Sequence, residues 1–133
     1  MRSFPFLPLA DRFYLPTVLD NVTADMDVAR DMEIFGPVFP IISFEEDDEA
    51  LEIANRCSFG LSGAVFSETS KRAMHIANKL ETATVVVNGG TDYRTPELAF
   101  GGYKKSGIGR EGVSRTLDEM TQEKNFVLKN IFC

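Results

Sequence analysis

Two stretches of the chain carry the same helical signature, and the apolar run after each of them limits the fold. Ala50, Ile53, Ala54 and Cys57 recur at i, i+3, i+4 and i+7, as do Ala73, Ile76, Ala77 and Leu80. That spacing puts four apolar side chains on one face of an α-helix. Both stretches contain A-x-x-I-A-N, at 50–55 and 73–78. The apolar runs are residues 64–66, after Gly60 and Gly63 break the chain, and Thr84–Val87. With the β-prone run 38–44 ahead of them, the order reads strand, helix, strand, helix, strand. Such alternation predicts an α/β fold with helical crossovers, flanking helices and a parallel-sheet core of three strands or more. Val85, Val86 and Val87 in sequence predict a strand buried on both faces.

The flanks read differently. Pro5, Pro8 and Pro16 are half of the 6 prolines. Proline fixes φ and donates no hydrogen bond, so this part is extended, with a short edge strand within 13–19. Residues 25–32 are expected to form one or two helical turns. Residues 101–112 hold five of the 10 glycines and read as a loop, followed by an amphipathic helix over 112–120. The run 125–132 is apolar apart from Lys129, and predicts a C-terminal strand that needs an edge to pair with, in this chain or another.

Composition narrows the function classes. A chain of 133 residues with 44% hydrophobic and 26% charged residues has enough apolar surface for one core. No apolar run reaches the length of about 18 residues that a membrane-spanning helix needs. Residues 1–60 carry four basic and twelve acidic side chains, a net of −8, and residues 61–133 carry ten and eight, a net of +2. The acidic half would repel nucleic acid. Cys57 and Cys133 cannot build a disulfide framework, which fits a reducing compartment. Pro5 and Pro8 interrupt the apolar N-terminus, and no small-x-small cleavage site comes after it. No secretion signal is therefore expected, and the cytoplasm is the expected location.

Single motifs carry little chemistry. GIGREG, 107–112, matches GxGxxG, but the phosphate cradle needs a buried strand directly before it and here AFGGYKKS precedes it. A structural turn into a helix is the expectation. Glu45 to Glu49 is a run of acids at a helix start, where carboxylates complement the helix dipole; it is not read as a metal site. His75 lies off the apolar stripe and is expected to be exposed. Cys57 lies on a stripe, as a small hydrophobe, and Cys133 lacks a scaffold. No residue is assigned as catalytic.

Taken in order, several segments resemble the C-terminal part of the aldehyde dehydrogenase superfamily. PTVLDNV (16–22) resembles its PTVL-x-x-V strand, and EIFGPV (33–38) its EIFGPV motif. SFGLSGAVFS (58–67) resembles YGL-x-x-x-VF, and TVVVN (84–88) resembles TVWVN. AFGGYKKSGIGREG (99–112) resembles PFGG-x-K-x-SG-x-GRE-x-G. The resemblance implies NAD- or NADP-dependent oxidation of an aldehyde to an acid through a cysteine thioester, hydrolysed by a glutamate-activated water. It also implies that nucleophile and base lie upstream of this region, so the chain alone is expected to be inactive and to bind no cofactor tightly. Glu33 matches the glutamate that accepts hydrogen bonds from the nicotinamide ribose diol, and Phe35 the aromatic beside that ribose. Without the motif they would read as a surface acid and a core phenylalanine. Phe100 matches an aromatic lining the substrate tunnel. The loop 89–98 resembles that of members acting on small, often acidic aldehydes, and Arg94 there would pair with a substrate carboxylate.

The departures are Met32, Ala83 and Ala99, where the family carries glutamate, glycine and proline. Residues 1–12 resemble nothing in the family at that place, as a start codon inside a truncated gene would leave. The implied organisation is an unmatched extension (1–12), a partial catalytic domain (13–122) and an oligomerisation strand (123–133) that joins a partner copy, giving a homodimer. The alternative is a non-catalytic dimerising or regulatory relic of the same family.

Overall fold

The computed structural model describes residues 13–131. Within them the alternating order is present. β1 (Thr17–Leu19) and a 3-10 turn (Asp27–Ala29) lead to β2 (Val38–Pro40) and α1 (Asp47–Asn55). Then come β3 (Phe59–Gly60), β4 (Ser62–Val65), α2 (Ser70–Lys79) and β5 (Thr84–Val87). β6 (Tyr103–Lys104) and α3 (Val113–Met120) close the described chain.

The β4–α2–β5 unit is the predicted crossover. β4 and β5 pair in parallel, Ser62 with Thr84 through Val65 with Val87, and α2 packs on both. Ala73 is fully buried, with Ile76, Ala77 and Leu80 half-buried beside it, so the stripe of α2 faces the sheet as expected. The two strands end on one side chain. Asn88 Oδ1 accepts the Ser67 N–H at 2.9 Å and its Nδ2 donates to the Ser67 carbonyl at 3.0 Å.

The expected three-stranded sheet is instead distributed over three two-stranded ones. β2 pairs in parallel with β1, not with β4. Pro40 brings no N–H, and Ile41 N–H bonds the Leu19 carbonyl at 2.9 Å to continue that ladder. β3 and β6 pair antiparallel, Phe59 with Lys104 and Gly60 with Tyr103. Gly60 and Gly63 are therefore strand residues and not breaks. A Cβ on Gly60 would collide with the Glu81 carbonyl oxygen, which is why the backbone there is bare. β5 is half-buried, and Val87 at its end is 37% exposed, so it is not covered on both faces by the described residues.

The face of α1 is turned by one residue from the predicted stripe. Leu51 is its buried residue, whereas Ala54 is exposed and Ala50, Ile53 and Cys57 are half-buried. Ion pairs to α2 lie on this face. Arg72 donates to both Asp47 oxygens, at 2.8 and 2.5 Å, and Lys79 Nζ reaches Asp48 at 3.0 Å. The acidic run at the start of α1 thus meets the basic side chains of α2.

Among the described residues the buried apolar set is Val22, Leu51, Val65 and Ala73. The accessible surface is 11662 Å². A folded monomer of 14.8 kDa exposes about 7,000 Å². The helix predicted over 112–120 is α3, but its stripe of Val113, Leu117 and Met120 lies open to solvent. The predicted C-terminal strand has no partner among the described residues: its part up to Ile131 is not a strand, and Phe126, Val127 and Leu128 are exposed. A single strand forms no ladder, and no edge of β1 to β6 reaches it.

Candidate functional site

The EIFGPV segment leaves the 3-10 turn as irregular chain and enters β2 through Pro37. Its two internal backbone bonds run from Gly36 N–H to the Ile34 carbonyl at 2.9 Å and from Val38 N–H to the Gly36 carbonyl at 2.8 Å. Glu33 is exposed, and its carboxylate has no hydrogen-bond or ionic partner among the described residues. Phe35 is 93% exposed, so the reading of it as a core residue fails. An acid and an aromatic thus stand in solvent two residues apart.

The second cluster is built by the glycine-rich loop. Phe100 and Glu111 form an antiparallel bridge, with Phe100 N–H on the Glu111 carbonyl at 2.7 Å and Glu111 N–H on the Phe100 carbonyl at 2.6 Å. This closes residues 101–110 into one loop. Gly109, at φ +80°, supplies a left-handed turn that a side chain would strain. Arg110 holds the interior: Nη1 donates to the Gly102 and Gly109 carbonyls at 3.2 and 2.8 Å. GIGREG accordingly comes after an exposed, antiparallel two-residue strand and ends at the start of α3, whereas the turn of a dinucleotide fold follows a buried parallel strand.

Arg94 and Phe100 are brought together. The guanidinium carbon lies 4.1 Å from the centroid of the Phe100 ring, a cation–π contact. One Arg94 donor bonds the Tyr93 carbonyl at 3.2 Å. The rest of the Arg94 fork is unused among the described residues. No hydrogen bond, ion pair or ring contact joins this pair to Glu33 or Phe35 among the described residues.

Sequence reasoning missed the residues that hold these segments. Asp31 accepts the Ser58 N–H at 2.7 Å and the Ser58 hydroxyl at 2.6 Å, and these two bonds hold its carboxyl below the usual carboxylate range. Lys104 Nζ donates to the Asn55 and Cys57 carbonyls at 2.7 and 3.1 Å, and pairs with Glu81 at 2.7 Å. The available signal was Lys104 in the FGG-x-K motif and the asparagine ending A-x-x-I-A-N. Asn55 bonds the chain leaving α2 at both ends of its amide, Lys79 carbonyl and Glu81 N–H, each at 2.9 Å. His75 is exposed and Cys57 half-buried, and no cluster of three or more His, Cys, Asp or Glu is placed to hold a metal among the described residues.

A model of the aldehyde dehydrogenase family matches residues 7–126. The chain is 40% identical over 116 residues to a lactaldehyde dehydrogenase of Methanococcus vannielii, covering 87% of this chain and 24% of that one. The same identity, 40% over 116 residues, and the same 87% and 24% coverage relate it to a 3-sulfolactaldehyde dehydrogenase of Priestia megaterium. An NAD-dependent aldehyde dehydrogenase from Sinorhizobium meliloti superposes with a TM-score of 0.77 at 43% identity, over 83% of this chain and 22% of that one. The chain therefore spans about a quarter of the length of the relatives it matches.

Proposed function

This chain belongs to the aldehyde dehydrogenase family, and on that premise we propose that it is the C-terminal portion of an NAD(P)-dependent enzyme oxidising a small, anionic aldehyde. Residues 13–122 contribute to its catalytic domain and 123–133 form its oligomerisation strand. The observation that carries the substrate reading is Arg94 stacked on Phe100, with most of its planar fork uncommitted. A ring beneath the guanidinium fixes its plane, so the free edge offers paired N–H donors to a carboxylate or sulfonate. A relative that acts on 3-sulfolactaldehyde supports an anionic group on the substrate.

The cofactor side rests on Glu33 and Phe35. A solvent-facing carboxylate with no internal partner is free to accept both hydroxyls of a ribose diol, and an exposed phenylalanine offers a flat apolar face next to it. Their chemistry fits the nicotinamide ribose of NAD or NADP, which when bound would accept the hydride. The chain's own part is to bind and orient. Glu33 fixes the ribose, Phe35 excludes water from one side, and Arg94 and Phe100 align the substrate. The covalent chemistry falls to residues outside this stretch, so the isolated chain is inactive and holds no cofactor tightly.

The test is made in an enzyme that carries this segment together with a nucleophile. Arg94→Gln is expected to raise KM for an anionic aldehyde by about ten- to a hundredfold, as loss of a charged hydrogen-bonding pair does, and to leave a neutral aldehyde of equal length nearly unaffected. Equal effects on both aldehydes contradict the assignment. A second reading, a non-catalytic relic that only associates, is favoured by the open stripe of α3. That reading requires Arg94→Gln to be without effect on either substrate.

A further inference from the structure

We infer that Asp31 is a positioning residue: its clamp on Ser58 fixes the segment bearing Glu33 and Phe35 relative to the antiparallel β3–β6 pair, whose second strand follows Phe100. The inference rests on the reading of Glu33 and Phe35 as cofactor contacts.

The clamp joins residues far apart in the chain. Both carboxylate oxygens of Asp31 are used, one on the Ser58 amide and one on its hydroxyl. Two bonds to one residue set orientation as well as distance, which a single exposed bond does not. The other hydrogen bonds made by residues 24–36 are local. Met26, Ala29, Arg30 and Gly36 donate to carbonyls two or three residues back, and Asp25 accepts from Thr23. Packing does not replace the clamp either. A cleft of about 330 Å³, lined by Ala24, Ala29, Arg30, Ile53 and Arg56 among others, lies between this segment and α1.

The receiving end is itself hydrogen-bonded to β6 and the residue after it. Ser58 carbonyl accepts the Lys105 N–H at 3.0 Å, and Phe59 beside it pairs with Lys104. Through Ser58, Asp31 therefore ties its segment to β6, the strand that starts three residues after Phe100. The charged and titratable groups facing it are the Lys105 ammonium and the Cys57 thiol, and each favours its ionised form. Glu33 and Phe35 lie two and four residues later, within about 7 and 14 Å of extended chain, between this clamp and the Thr17 N–H bond to the Pro37 carbonyl that holds the far end, so losing Asp31 leaves the segment held at one end only.

The test uses the 133-residue chain without cofactor and reads backbone amide order by NMR. In Asp31→Ala the order parameters of residues 32–36 are expected to fall from about 0.85 to below about 0.6, with α2 and β5 unchanged. Ser58→Ala, which keeps the amide donor, is expected to fall between the two, and Ser58→Thr, which keeps both donors, to restore wild-type order. In the wild type, the Ser58 amide shift and the order of Glu33 are expected to titrate together, below the ordinary carboxylate range. Unchanged order at 32–36 in Asp31→Ala, or an equal loss throughout α2 and β5, overturns the inference. No cofactor is present, so a failure of Glu33 as ribose ligand, read by Glu33→Gln in an assembled enzyme, leaves this result standing on its own.

Discussion

Lys104 Nζ sits 2.7 Å from the carbonyl oxygen of Asn55, the last residue of α1. A helix C-terminus leaves its final carbonyls without intrahelical partners, and a cation there also complements the dipole. One ammonium serves the carbonyls of Asn55 and Cys57 together with the Glu81 carboxylate, and the Lys104 side chain is only 23% exposed. Lys104 itself takes φ 54°, a left-handed conformation, to bring the ammonium there.

Removing the ammonium is therefore expected to cost more than removing its counter-ion. Lys104→Met should lower stability by about 1 to 3 kcal/mol, the scale of charged hydrogen bonds left unmade. Glu81→Gln, which loses only a partly exposed ion pair, should cost less than about 1 kcal/mol. Urea unfolding with an unchanged m-value checks the order. Equal costs would assign the effect to the ion pair alone.

The acid limb of stability arises from four carboxylates held low. Ser58 donors lower Asp31, Arg72 lowers Asp47, the Thr23 hydroxyl lowers Asp25 and the Thr95 hydroxyl lowers Glu97. A group whose folded pKa lies below its unfolded one stabilises fully above the unfolded value and loses that contribution as pH falls through the folded value. Stability should thus be flat at neutral pH and decline below the ordinary values, 3.8 for Asp and 4.5 for Glu. Asp31→Asn and Asp47→Asn should each make the decline shallower. An acid limb identical to the wild type in both variants would contradict the assignment.

Self-association is expected from the apolar surface the chain leaves open. Met120 is 83% exposed and Phe126 76%, in a chain with thousands of square ångströms more surface than its mass requires. Burying a few hundred Å² of apolar surface supplies several kcal/mol at about 25 cal/mol per Å². The net charge of −6 opposes unlimited stacking, so a closed dimer is expected. Light scattering at micromolar concentration should give the dimer mass, and deletion of 124–133 should return the monomer. A monomer mass in both would contradict it.

Legibility in the sequence tracks locality. α2 and β5 lie where their periodicity puts them, because a ten-residue helix and a Val-rich run carry enough local signal. The face of α1 does not, because it depends on what α1 packs against, α2 with Arg72 and Lys79 among its contacts, and no pattern within 47–55 records that partner. β3 and β6 are two residues each, too short for an alternating pattern, and they exist through the bare backbone of Gly60. The family motifs pointed to Glu33, Phe35, Arg94 and Phe100, but the proximity of Arg94 to Phe100 needed the closed glycine loop. Asp31 and Ser58 are invisible as a pair because a bond across 27 residues leaves no spacing to read.

On the proposed function, this stretch binds and orients while the reacting groups lie outside it. The most direct measurement is the formation of reduced cofactor by the purified 133-residue chain with NAD or NADP and a small anionic aldehyde. None above the uncatalysed background is expected, since Cys57 is half-buried on α1's flank and His75 stands exposed on α2. Reduced cofactor formed at a measurable rate, and lost in Cys57→Ser, would contradict it.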